Sequence, residues 1–172
     1  MVEKEARLEK LRAALISSSE PITGSELSAT FGVTRQVVVH DIAILRARGL
    51  DVVSTPRGYL VHSVTETGQE YILSVCHTPD LTATELYTLV DYGIHVNDVQ
   101  VEHPVYGELR GSLHISSRRD VDLFLKQLKE SGASLLSALT EGQHMHNVEA
   151  PDERRFMEAT AELRRHGIQV FD

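Results

Sequence analysis

The sequence predicts an α+β chain in two parts: a small helical unit ending in a β-hairpin, then an α/β sandwich with helices on one face of a mostly antiparallel sheet. Three observations predict this. Residues 1–62 carry helical spacing with caps and close on two β-prone runs. From residue 70 onward the element types alternate in the order β-α-β-β-α-β-β-α. Charge divides the chain at the same place. Residues 1–62 hold eight Lys/Arg and seven Asp/Glu, a net of +1, whereas residues 63–172 hold nine and eighteen, a net of −9. Such asymmetry suggests two tasks in one chain.

In the first part, Leu8, Leu11, Leu15 and Ile16 recur at helical spacing, and Ser17-Ser18-Ser19-Glu20-Pro21 ends that helix. Thr23-Gly24-Ser25-Glu26 is a capping box that starts a short second helix through Phe31. Gly32 makes a tight turn and Thr34 caps a third helix. On it Val38, Ile42 and Leu45 face the core, while Arg35, Gln36, Val39, His40 and Ala43 fall on the outward face. Gly49 closes this helix as its C-cap. The run DVVSTPRGYLV then gives two β-prone segments around Pro56-Arg57-Gly58, a hairpin wing.

The stretch GSELSATFGVTRQVVVHDIAILRARGL, with its flanks over roughly residues 5–62, resembles the winged helix–turn–helix domains of the biotin-repressor type. The resemblance implies operator DNA as partner, with Thr34, Arg35, Gln36, Val39 and His40 presented to the major groove. Arg57 at the wing tip would reach phosphate or the minor groove. His40 stands where the family often carries an arginine. The competing role for such a unit is packing against a partner protein.

Residues 63–70, SVTETGQE, are polar and read as a linker between a domain over 1–62 and a second over 71–172. There YILSVCH is an apolar strand and TATELYTLVDYG a helix with Leu86, Leu89 and Val90 inward. VNDVQVEHPV and GELRGSLHIS are strands either side of Tyr106-Gly107. RRDVDLFLKQLKESG is an amphipathic helix stopped by Gly132. SLLSALT and QHMHNVEA read as a hairpin across Glu141-Gly142, and DERRFMEATAELRRHG as a last helix. A ferredoxin-like core with one extra strand and helix satisfies this order.

Composition narrows the class. With 41% hydrophobic and 24% charged residues the chain is globular. Its apolar runs are too short to span a bilayer, and MVEKEARLEK is charged with no apolar core behind it, which argues against a secretory signal. The single Cys76 excludes an internal disulfide. The expectation is a cytoplasmic protein without membrane contact.

His144 and His146 raise the question of chemistry. Residues i and i+2 of a strand share a face, about 7 Å apart along the chain, so both imidazoles can tilt onto one transition-metal ion. His77, ending the first strand of this domain, and Glu85, in the first turn of the next helix, can fold back to complete a three-histidine, one-glutamate set for a divalent first-row ion. Each residue has a plainer role. His-x-His is commonly a surface strand pair, and His77 would serve as a hydrogen-bonded turn residue. Thr82-Ala83-Thr84-Glu85 is itself a capping-box pattern, in which Glu85 merely caps its own helix. His95 and His114 carry no assignment.

The pieces HTPDLTATEL, DVQVEHPVYGEL, SRRDVDLFL and LTEGQHMHNVEAP look like the three-histidine (3H) domain, over most of residues 70–170. A 3H domain behind a winged helix is similar to the niacin-responsive transcriptional repressors. The resemblance implies a non-enzymatic repressor that binds nicotinic acid, carries a metal such as nickel or zinc, and controls genes of NAD synthesis or niacin uptake. It places His77, Glu85, His144 and His146 on the family's metal ligands. It also places His103 on a further family histidine, beside the effector pocket. Nicotinate offers a pyridine nitrogen for an open metal position, and its carboxylate needs a cation or N–H donors. Arg118 and Arg119 are candidates for that cation, or else solvated surface residues. A two-fold operator would match a homodimer. The alternatives are a repressor that senses the metal itself, and a metalloenzyme fused to a DNA-binding domain.

Overall fold

A computed structural model describes residues 2–61 and 68–172. The chain divides into two compact units, Met1–Val64 and Thr65–Asp172.

The first unit holds α1 (Val2–Ser17), α2 (Gly24–Phe31), α3 (Arg35–Ala47), β1 (Val52–Thr55) and β2 (Gly58–Val61). Its local signals act as the sequence reading expects. The Thr23 hydroxyl accepts from the Glu26 N–H at 3.1 Å, and the Glu26 carboxylate accepts from the Thr23 N–H at 2.8 Å, so the capping box is formed. Gly32 turns the chain at φ 63°, and the Thr34 hydroxyl accepts from the Val37 N–H. Leu8, Leu11, Leu15, Leu27, Val38, Ile42, Leu45 and Val52 close one core. Ile16 departs from its expected stripe and is 50% exposed, one position round the helix from Leu15. The cap of α3 is Arg48. Gly49, at φ 92°, lies one residue beyond, where the Leu50 N–H returns to the Leu45 carbonyl. The wing is anchored: Ile22 and Tyr59 exchange two backbone hydrogen bonds at 2.8 Å. Gly58 permits this, because a Cβ there would lie 2.5 Å from the Ile22 carbonyl oxygen.

The second unit holds β3 (Gln69–Cys76), α4 (Thr82–Asp91), β4 (His95–His103), β5 (Gly107–Ile115), α5 (Arg118–Ser131), β6 (Gln143–Ala150), α6 (Glu153–Arg165) and β7 (Gln169–Phe171). Gln69 and Glu70, expected as linker, are already strand; residues 63–67 of that linker lie outside the described residues. The sheet is antiparallel in the order β5-β4-β6-β3-β7. Leu86 and Leu89 from α4, Val121 from α5 and Ala159 and Leu163 from α6 bury Leu73, Val75, Val96, Leu113, Ile115 and Val148 in one core.

Three expectations are corrected. SLLSALT is not a strand: Leu136–Thr140 form a 3-10 turn, closed by the Gly142 N–H on the Ser137 carbonyl. Apart from Thr140 it has none of the β-branched residues that favour a pleated strand. The fifth strand is instead the short β7, which pairs only with the end of β3. The strand order also departs from the ferredoxin-like one, which would place β5 between β3 and β4. The β4–β5 hairpin turns outward, and β6 takes the place between them. The His-x-His strand therefore lies inside the sheet.

Candidate metal centre and nucleic-acid interface

His144 and His146 stand on the helix-covered side of β6, alternating with Met145 and Asn147. Opposite them, α4 presents Glu85. Glu85 is 1% exposed, and the three histidine residues around it are 8% (His77), 4% (His144) and 3% (His146) exposed. His77 follows β3 and is held there by the β6 turn: its N–H reaches the Gly142 carbonyl at 3.3 Å. Gly142 has φ 94°, and a Cβ on it would lie 2.2 Å from the His77 carbonyl oxygen. Only glycine allows this approach.

The hydrogen bonds define the chemistry. His77 Nδ1 lies 2.8 Å from the Thr78 carbonyl, His144 Nδ1 2.9 Å from the Gly142 carbonyl, and His146 Nδ1 2.6 Å from the Asp98 carbonyl. A carbonyl only accepts, so each Nδ1 carries the hydrogen and donates. In the neutral ring the Nε2 atom is then a lone pair. All three Nε2 atoms face Glu85: His77 at 2.7 Å and His144 at 3.3 Å from one oxygen, His146 at 3.2 Å from the other. Four acceptors converge in a buried space. Glu85 Oε1 and His146 Nε2 face each other without the alignment of a hydrogen bond, and neither has another partner.

Such a set requires protons or a cation. Burial alone would push Glu85 up and His77 and His146 down. The mutual charge and hydrogen bonding outweigh burial, so Glu85 is held well below its ordinary 4.5 and the two histidines are raised above 6.5. His77, Glu85 and His144 present ligand atoms within 4.8 Å of one another; His146 lies outside that trio, with its Nε2 3.2 Å from the second carboxylate oxygen. Three nitrogens and one carboxylate oxygen, each imidazole oriented by a backbone carbonyl, suit a divalent first-row ion. The capping role open to Glu85 is not used. The 3-10 turn Pro79–Leu81 runs straight into α4, the residue before α4 is Leu81, and no side chain caps the helix.

A cavity of about 220 Å³ opens beside the cluster. Glu85, His144 and His146 contribute to its wall, with Leu86, Val99, Leu113, Phe124 and Leu136 supplying apolar surface and Thr82 a hydroxyl. None of the effector contacts expected from the sequence lines it. His103 lies at the β4–β5 turn, where its Nδ1 accepts from the Val105 and Tyr106 N–H groups. Arg118 grips Asp91 through two hydrogen bonds and lies over the Tyr87 ring; Arg119 is exposed on the same helix. No Lys or Arg appears among the described residues lining the cavity.

Sequence reasoning missed Thr82 as a wall residue, since it reads there only as a cap. It also missed Asp98, whose carbonyl orients His146 and whose carboxylate accepts from the Asn147 N–H and side-chain amide. Asp98 sits at a register shift in β4, where strand alternation gives no signal.

In the first unit, Thr34 caps α3, and Arg35, Gln36, Val39 and His40 are all exposed on or beside its first turns. Arg57 occupies the two-residue wing turn and pairs with Glu20 at 2.7 Å. Arg46 holds the wing to α3 through the Val52 carbonyl and the Ser54 hydroxyl.

Residues 70–172 match the 3H domain family, and residues 7–60 match a helix–turn–helix (HTH) domain family. The Bacillus subtilis protein named Transcription repressor NadR is 38% identical over 169 residues, covering 96% of this chain and 94% of the relative. The Thermotoga maritima protein named Probable transcription repressor NiaR is 37% identical over 167 residues, covering 97% and 95%. Among the described residues no helix is long and apolar enough to cross a membrane. The chain therefore belongs to the 3H-domain family, with a helix–turn–helix domain ahead of the 3H domain and similarity along almost its whole length to proteins named as transcription repressors.

Proposed function

We propose that the protein is a cytoplasmic DNA-binding transcription repressor whose 3H domain holds one divalent transition metal and senses nicotinic acid, controlling genes of NAD synthesis or niacin uptake. A homodimer would present two α3 helices to a two-fold operator. The observation that carries the sensor reading is the convergence of three Nδ1-protonated imidazoles on the buried Glu85, with a cavity at their side. His77, Glu85, His144 and His146 hold the ion, which supplies a positive charge and an open ligand position when bound. The chain's own part is to fix the imidazole orientation through the Thr78, Gly142 and Asp98 carbonyls and to bury the effector ring against Leu86, Phe124 and Leu136. The names of the two relatives support the repressor role, and the capped α3 with its anchored wing supports operator contact through Arg35, Gln36 and Arg57.

Nicotinate must favour the operator-competent arrangement through differential affinity for two states. A coupling of roughly 5–150-fold is typical. The competing reading, that the ion alone is the signal, draws on the same ligand set but leaves the cavity without a purpose. Titrating operator binding with nicotinate at fixed metal, then with metal at fixed nicotinate, separates them. A nicotinate response that needs the metal supports the niacin sensor; a metal response indifferent to nicotinate replaces it with the metal sensor.

A further inference from the structure

Thr82 is 8% exposed and lines the cavity, and its Oγ1 is buried with no hydrogen-bond partner. A hydroxyl in that state is unfavourable compared with the isosteric methyl of valine, because it has given up water for nothing. It sits at the first residue of α4, and Thr82, Glu85 and Leu86 occupy positions i, i+3 and i+4 of that helix, so they share one face. The unpartnered hydroxyl is thus one helical turn from the metal cluster, on the wall the two have in common.

The cavity's charge pattern adds a second constraint. Its polar groups buried beyond nine-tenths are Thr82, Glu85, Ser137, His144 and His146, and no Lys or Arg is among the described residues that line it. Away from the cluster the wall is largely apolar, from Val99, Leu113, Phe124 and Leu136, with the uncharged Ser112, Ser134 and Ser137 beside them. An anionic group entering this cavity finds positive charge only where a cation is held by His77, Glu85, His144 and His146. A buried anion without such a partner is prohibitively costly.

Resting on the niacin-sensor reading above, we propose that Thr82 is a specificity contact of the cavity. Its hydroxyl donates to the carboxylate of a planar aromatic monoacid whose acid end faces the Glu85–histidine cluster and whose ring lies against the apolar wall. This reverses the orientation in which the pyridine nitrogen meets the metal and an arginine holds the acid. Recognition then depends on the acid group, and the ring nitrogen is secondary.

Calorimetric titration of the ion-loaded full chain with nicotinate, benzoate and nicotinamide tests this, for wild type, Thr82→Val and Thr82→Ser. Benzoate keeps the acid and lacks the ring nitrogen, whereas nicotinamide keeps the nitrogen and lacks the charge. Wild type should bind nicotinate and benzoate, and nicotinamide at least about tenfold more weakly. Thr82→Val should weaken both acids by about tenfold, the scale of one hydrogen bond to a charged group, and Thr82→Ser should restore most of it. Without ion or ligand, Thr82→Val should melt at or above wild type, since the hydroxyl it removes has no partner. Undiminished nicotinate binding by Thr82→Val, or a lower melting point without ligand, overturns the Thr82 assignment alone. Nicotinate binding without benzoate binding overturns the acid-inward orientation. Failure of ion-loaded wild type to bind nicotinate overturns the sensor reading itself.

Discussion

Among the described residues the two most deeply buried carboxylates lie one in each unit, and they are answered in opposite ways. In the helix–turn–helix unit Asp41 is 1% exposed and accepts two hydrogen bonds from the Arg7 guanidinium, at 2.7 and 3.2 Å. Donor meets acceptor, charge meets charge, and the pair ties α1 to α3. In the 3H unit Glu85 is equally buried, yet its neighbours are three imidazole nitrogens whose N–H groups are all engaged by backbone carbonyls. A buried charge that the chain itself neutralises is architecture. One faced by imidazole nitrogens whose other N–H groups are already engaged needs protons or a cation, and this ligand set suits a cation.

The contrast breaks most sharply by exchanging the losses. The His144→Ala, His146→Ala double variant should lose the nicotinate response of operator binding altogether, a loss of roughly 5–150-fold, while its effector-free operator affinity stays at the wild-type level. Asp41→Ala should do the reverse. It strands the Arg7 guanidinium, lowers the melting temperature of the helix–turn–helix unit, and leaves ion binding intact. Paired binding and thermal-unfolding measurements on both variants check this. An Asp41→Ala protein that loses its ion would mean the two carboxylates are not independent.

A smaller effect sharpens the first unit's side. Arg35→Ala should weaken operator binding by roughly 1–3 kcal/mol if Arg35 reads a base edge, and weaken binding to random DNA less. Equal losses on both DNAs make it a phosphate contact.

The smallest effect is in pH. Without an ion, the raised His77 and His146 contribute stability that is present below their ordinary 6.5 and lost as pH rises through their folded values. The depressed Glu85 contributes stability that is present above its ordinary 4.5 and lost as pH falls through its folded value. The ion-free 3H unit should therefore melt highest between these limits and lower at alkaline pH. Ion uptake displaces protons, so the ion-loaded unit should gain stability as pH rises. Melting curves with and without chelator check the two slopes; parallel slopes would contradict them.

How much was legible beforehand follows the same division. The first unit is written in short-range chemistry. The Thr23–Glu26 box, the Thr34 cap and the spacing of Val38, Ile42 and Leu45 each act within a few residues, and each is found as read. In the second unit the alternation of His144 and His146 is equally local and gave their shared face. Glu85 was ambiguous because one Thr-x-x-Glu pattern serves a cap or a ligand, and only the 3-10 turn ahead of α4 decides. Long-range features were not readable. The position of β6 between β4 and β3 depends on which way a hairpin turns, and the three-residue β7 is too short to signal itself. The arginines suggested for the effector carboxylate had the right chemistry, but the fold engages Arg118 with Asp91.

The central claim is that the acceptors around Glu85 hold a divalent cation. Calorimetric titration of the chelator-stripped full chain with Ni²⁺ and Zn²⁺, together with elemental analysis, measures it most directly. The account predicts uptake of about one ion per chain with proton release. It also predicts an affinity lower by at least about a hundredfold in the His144→Ala, His146→Ala variant, since losing two ligands should exceed the roughly 10–100-fold cost of losing a group that only orients a ligand. In Glu85→Gln, uptake should be reduced, and the ion-free unit should also lose the stability that the Glu85 charge contributes above its ordinary 4.5. No uptake by wild type, or undiminished uptake by the double-histidine variant, would contradict it.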